Sequence, residues 1–160
     1  MSRSEVLDTI RSRVWERNLS RSHRREGCRV YLDGVPSQRI TVDADRAFPD
    51  HSLEGSRCDL IFFLVDSDGR ILTVPAELKA GNVDASEVHG QLQQGANFAL
   101  RIALRGMDSK CIPVLFYGGR LHPKQLRTLN RLKVSFRGQR LTIKIARCNR
   151  RGSLADSLKG

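Results

Sequence analysis

The sequence predicts a single-domain α/β protein with a central mixed β-sheet flanked by helices. Two apolar runs, Leu60-Ile61-Phe62-Phe63-Leu64-Val65 and Ile71-Leu72-Thr73-Val74, are joined by Asp66-Ser67-Asp68-Gly69, as in a buried hairpin. A lean apolar stripe follows at helical spacing, Val88, Leu92, Ala96, Ala99 and Ala103. A further strand-like run, Ile112-Pro113-Val114-Leu115-Phe116-Tyr117, comes next. Strand, crossover helix and strand form a βαβ unit, which demands parallel pairing beside the antiparallel hairpin. A chain of 160 residues suits one domain, with a core over 29–148, a helix and basic connection over 1–28, and a tail over 149–160.

In chain order, Ser2-x-x-Glu5 has the form of a capping box, and Leu7, Ile10 and Val14 recur at helical spacing to about Arg17. Residues 21–29 form a basic connection. Arg29-Val30-Tyr31-Leu32 and Arg39-Ile40-Thr41-Val42 flank Asp33-Gly34-Val35-Pro36, which predicts a first hairpin. Asp43 and Asp45 follow as turn formers, partners of Arg46 or acids at a cleft rim. The apolar stripe predicts a helix over 84–105, with Gln91 at its edge. His122-Pro123 opens a short helix with Leu126, Leu129 and Leu132 inward and Lys124, Arg127 and Arg131 in a row on the other side. A last hairpin is expected from 133–136 and 141–147 around Arg137-Gly138, with Leu141, Ile143 and Ile145 inward. In the tail only Leu154 and Leu158 offer docking groups.

The central hairpin carries the chemistry. With Ser67-Asp68-Gly69 as a three-residue loop and Gly69 left-handed, Asp66 faces Arg70 and Leu64 faces Leu72. That register sets Asp59 opposite Glu77, about 5 Å apart at Cβ, with Lys79 on the diagonal. Glu77 and Lys79 share a face because side chains alternate along a strand. Two carboxylates that close repel unless a cation lies between them, and a divalent metal ion suits. Pro75 lies within the second run and has no amide proton, so a bulge or non-bonded position is expected there.

Asp59, then Glu77-x-Lys79, then a helix with Gln91-Leu92 resembles the PD-(D/E)XK nuclease superfamily, the restriction-endonuclease-like fold, and especially its small stand-alone members. The likeness is specific over residues 58–92. It implies a restriction-endonuclease-like core, phosphodiester hydrolysis and Mg²⁺, with Mn²⁺ as substitute. Asp59, Glu77 and the Leu78 carbonyl would hold the metal, Lys79 would orient or activate the attacking water, and Gln91 would support the site. The resemblance admits a homodimer in which each subunit cuts one strand, and a glutamate from the first helix, Glu5 or Glu16, near the site. The chain departs from the pattern at Cys58, which stands before Asp59. The literal Pro-Asp pair is Pro49-Asp50, so Asp50 is a rival first ligand, in a stretch of turn-forming residues with no strand to fix it.

Charge points to a phosphate-rich partner. The net charge is +11, distributed as +4 over 1–40, −6 over 41–100 and +13 over 101–160. An acidic centre between basic flanks suits a metal site facing a nucleic-acid backbone, with the Lys124, Arg127 and Arg131 row following phosphates. DNA is expected over RNA, because few aromatic residues stand free to stack on bases. The alternatives are a non-cleaving nucleic-acid-binding module, an RNA-directed nuclease and a nuclease-fold subunit of a larger complex, for example in defence against foreign DNA. Cys28, Cys58, Cys111 and Cys148 are dispersed without a CxxC pair, so reduced thiols and no structural zinc are expected. The polar N-terminus is unlike a secretory leader, and no apolar run is long enough to span a bilayer, so a cytoplasmic protein without a membrane partner is expected.

Overall fold

All six residues of Leu60–Val65 are buried, each face of this strand covered by a different hydrophobic cluster. The computed structural model describes residues 2–51, 53, 55–103 and 108–159. The helices are α1 (Arg3–Val14), α2 (Ala44–Asp50), α3 (Ala85–Ile102), α4 (Pro123–Arg131) and α5 (Ser153–Ser157). The strands are β1 (Arg24–Arg25), β2 (Cys28–Arg29), β3 (Arg39–Asp43), β4 (Leu60–Val65), β5 (Ile71–Lys79), β6 (Ser109–Cys111), β7 (Val114–Tyr117), β8 (Lys133–Phe136), β9 (Gln139–Thr142) and β10 (Lys144–Arg147). The main sheet runs β3-β4-β5-β7-β10, antiparallel from β3 to β5 and parallel from β5 to β10, with β6 beside the first part of β5. The α/β class with a central mixed sheet is therefore as the sequence predicts.

Alternation along β4 decides what lies on each side. Ile61, Phe63 and Val65 join α1, α2, α3 and Leu129 of α4 on one face. Leu60, Phe62 and Leu64 meet Cys28, Val30, Val35 and Leu154 on the other. Each large apolar side chain so buried contributes about 1.5–3 kcal/mol.

The β4–β5 turn forms as expected. Gly69 is left-handed at φ 82°, the Asp66 amide donates to the Arg70 carbonyl, and Leu64 pairs with Leu72. No bulge occurs at Pro75, which pairs with Ile61 in unbroken register. The Ile71 amide donates outward to Asp108, so alternation points the Pro75 nitrogen to that same side. There β6 ends at Cys111 opposite Thr73 and β7 begins at Val114 opposite Ala76. Pro75 thus falls in the gap between β6 and β7, where Pro113 also lies, and leaves no ladder bond unmade.

Other elements depart from the sequence reading. The first hairpin does not form. Cys28–Arg29 pairs with Arg24–Arg25 instead, and Arg39–Asp43 pairs with β4, whose longer apolar strand offers a better partner. The last hairpin is split: β8 pairs with β9 around Arg137 and Gly138, both at positive φ, while buried Ile143 redirects β10 into the main sheet beside β7. Pro49-Asp50 closes α2 rather than lying in a turn stretch, of which Ser52 and Glu54 lie outside the described residues. The α3 helix ends at Ile102 with Ala103 as its cap, and residues 104–105 of the expected helix also lie outside them. The cysteines are not all reduced. Cys28 and Cys148 form a disulfide because β2 lies over the end of β10, while Cys58 and Cys111 are free and buried. The tail folds as α5 and buries Leu154. Among the described residues no helix is long and apolar enough to cross a membrane.

Candidate functional site

The β5 alternation sorts the polar end of the strand. Leu72, Val74, Ala76 and Leu78 pack into the cluster opposite α3, so Glu77 and Lys79 face the α3 side. Leu60 pairs with Ala76, and one step outward Asp59 meets Glu77. Two hydrogen bonds fix Asp59 there: its amide donates to the Ala76 carbonyl (3.2 Å), and its Oδ2 accepts from the Leu78 amide (2.8 Å). The Gly118 amide donates to the Lys79 carbonyl on the β7 side. By alternation the Leu78 carbonyl points the opposite way, toward the Asp59 edge. The three titratable groups and this carbonyl share one corner of the sheet.

Glu77 is the unusual member. It is 1 % exposed, its Oε2 lies 3.5 Å from Lys79 Nζ, and its Oε1 is buried without a hydrogen-bond partner. Burial, then the hydrogen bond and charge of Asp59, push its carboxyl up to about 9 against a smaller opposing pull from Lys79. Burial disfavours the charged form of Lys79, but Glu77 and Glu87 outweigh it and raise the ammonium's proton affinity. The second partner, Glu87 Oε1, is 3.4 Å from Nζ. Burial, with Glu77 and Asp59 adding repulsion, holds the neighbouring Cys58 thiol neutral.

This donor set fits a hard divalent cation. Two carboxylates and a strand carbonyl are oxygen ligands of the kind Mg²⁺ takes while keeping several waters. The buried, unpartnered Glu77 Oε1 is an acceptor that a cation would satisfy. Among the described residues no three His, Cys, Asp or Glu side chains gather as a metal cage, so a backbone oxygen would complete the set.

Gln91 lines the same cleft of about 500 Å³, and its Oε1 is likewise buried and unpartnered. It arrives there because Gly95, one turn on, lets α3 descend onto the strands. A Cβ at Gly95 would stand 2.6 Å from Cys58 Sγ and 3.0 Å from Pro75 Cβ. Asp45 and Arg57, paired at 3.0 Å, form part of the rim. Asp43 caps α2 through the Arg46 amide and pairs with Arg25 (3.1 Å). The rival Asp50 is not brought to the cleft. Arg17 Nε holds it at 2.8 Å and keeps its carboxyl below the ordinary range. Glu5 on α1 and Glu16 just after it are exposed and do not line the cleft.

Sequence reasoning missed Arg25 and Glu26, which enter the cleft from the β1–β2 hairpin, and Glu87. Asp84-x-x-Glu87 carries the spacing of a capping box, and Asp84 does accept from the Glu87 amide (3.1 Å). That signal places Glu87 in the first turn of α3, one strand-end away from Lys79.

Lys124, Arg127 and Arg131 lie exposed along α4 and line one shallow depression. Gln125 Oε1 accepts from the Ala85 amide (2.8 Å) and so pins α4 to the start of α3. Leu126 is 37 % exposed rather than inward, because α4 buries only Leu129 fully.

The chain matches no family model, no curated protein and no solved structure.

Proposed function

We propose that this chain is a metal-dependent nuclease that hydrolyses phosphodiester bonds, in DNA rather than RNA. The observation that carries the reading is the meeting of Asp59, Glu77 and Lys79 at one strand end, with a buried Glu77 oxygen left unpartnered. Asp59, Glu77 and the Leu78 carbonyl would hold Mg²⁺ or Mn²⁺. Such an ion, when bound, supplies a more acidic water and a polarised phosphoryl group. Lys79, held protonated between Glu77 and Glu87, donates a hydrogen bond to the attacking water or to a phosphate oxygen. Gln91 offers its amide to the same space. The exposed row on α4 binds flanking phosphates.

The PD-(D/E)XK resemblance over residues 58–92 supports the same reading, as does the acidic centre between basic flanks. A restriction-endonuclease-like core, a homodimer and a cytoplasmic location belong to it as well. The Cys28–Cys148 pair weighs against the last, since a cytoplasmic thiol pool keeps most disulfides reduced.

Labelled DNA and RNA incubated with Mg²⁺, Mn²⁺ or EDTA test the proposal. Wild type should cut DNA only with metal, Asp59→Ala and Lys79→Ala should not cut, and Asp50→Ala should cut as wild type does. Salt-dependent binding with no metal-dependent cleavage would make the chain a binding module instead.

A further inference from the structure

Behind the β1–β2 hairpin lies a second concave surface, a cavity of about 650 Å³, whose charged lining is five arginines against one carboxylate, Asp33. Arg24 and Arg29 are directly opposed across the hairpin. Like charges so placed repel and weaken the strand pair. Two other arginines have partners in the cavity wall. Arg151 is tied to Asp33 at 3.0 Å, and Arg39 Nη1 donates to the Val35 and Pro36 carbonyls at 3.4 and 3.1 Å. The Arg29 and Arg151 guanidiniums both lie against the Tyr31 ring, at 4.6 and 4.8 Å from its centre. That ring is committed to orienting cations, so the site is built for phosphate and not for stacking a base. Burial, then Arg39 and Arg29, also lower the proton affinity of His23 on the cavity wall, as a field short of negative charge would.

The hairpin is the partition between this cavity and the candidate metal site. Arg24 and Arg29 line the cavity, while the adjacent Arg25 and Glu26 line the cleft with Asp59 and Glu77. We propose that the arginine cavity grips the backbone of the same DNA whose scissile phosphate lies in the cleft, so that the strand crosses the hairpin between the two. The identity of the ligand rests on the nuclease reading. The Arg29 and Arg151 guanidiniums, both against the Tyr31 ring, supply phosphate contacts away from the cut.

The test is binding of a labelled DNA duplex of about 30 base pairs in EDTA, as a function of salt, where each phosphate contact contributes about 0.9 to the slope of log affinity on log salt. Arg29→Ala/Arg151→Ala should bind at least about tenfold more weakly, with the slope reduced by about 2. Arg24→Glu, at an exposed position, should weaken binding in the same direction and guards against a folding defect in the double variant. Arg24→Glu replaces a like-charge pair with an opposite-charge one across from Arg29, so it should melt no lower than wild type and keep the Mg²⁺-induced shift in melting. If wild type binds and cuts DNA while all three arginine changes leave affinity and slope unaltered, the cavity is not a DNA site and the nuclease reading stands. If wild type neither binds nor cuts DNA, both fall together. Binding that the arginine changes weaken, without any cutting by wild type, keeps the cavity and removes the nuclease.

Discussion

Asp59 Oδ2 accepts a hydrogen bond of 2.8 Å from the Leu78 amide, so the first acid of the site is also a structural tie between β4 and β5. Asp59→Ala removes a candidate ligand and strands that amide, at a cost of about 1–3 kcal/mol. Asp59→Asn keeps an acceptor for the amide but loses the charge. The expected outcome is that Asn at this position folds nearly as stably as wild type and yet neither cuts nor gains melting temperature from Mg²⁺. Alanine should be both inactive and less stable. Denaturant melts beside cleavage assays separate the two effects.

Glu77 gives a pH prediction whose sign is opposite to the usual carboxylate case. Its carboxyl is raised from 4.5 to about 9 in the folded chain, so the folded state binds more protons than the unfolded one between those values. The stability this group contributes is fully present below about 4.5 and is lost as pH rises toward and through about 9. Without metal, Glu77→Gln should therefore be more stable than wild type at neutral and alkaline pH, with the difference growing as pH rises. With Mg²⁺ the wild type should gain and Glu77→Gln should not. Melting curves from pH 5 to 9, with EDTA or Mg²⁺, check it; a difference that does not change with pH would contradict the buried carboxyl.

Two glycines of α3 separate packing from propensity. Gly90 has open space around it, so Gly90→Ala should stabilise the chain by about 0.8–1 kcal/mol through helix propensity alone. Gly95 has none, and an added methyl meets Cys58 and Pro75. Gly95→Ala should cost about 1–3 kcal/mol from overpacking and lift Gln91 from the cleft, lowering cleavage as well as stability. Equal effects of the two substitutions would show that the close approach of α3 does not position the site.

These outcomes follow where the sequence was readable for physical reasons. The β4–β5 register could be counted because the Gly69 turn fixes it and side chains alternate with period two, so Asp59, Glu77 and Lys79 fell on one side as expected. Local pattern also located α3 and α4. What failed was partner choice. Arg39-Ile40-Thr41-Val42 reads as half of a hairpin with Val30 and Tyr31, but the competition was won by β4, which lies further along the chain. The break at Ile143 and the approach of Cys28 to Cys148 are likewise set by long-range packing. Arg25 and Glu26 reach the cleft only through that packing, so nothing local could have marked them.

The Cys28–Cys148 disulfide makes the last prediction. It joins residues 120 apart and anchors the hairpin that carries Arg25 and Glu26 to the rest of the sheet. Closing so long a loop restricts the unfolded chain, and a stabilisation of about 2–4 kcal/mol is typical. Cys28→Ser/Cys148→Ser, or wild type in reductant, should melt at a lower temperature, while Cys111→Ser should show no dependence on reductant beyond that of wild type. Because the hairpin sits between the cleft and the arginine cavity, loss of the bond should also weaken DNA binding more than it weakens the Mg²⁺-induced rise in melting temperature. Intact mass under non-denaturing, non-reducing conditions settles whether the bond is present. A chain that carries it but melts and binds identically after reduction would show the hairpin to be held by its packing alone.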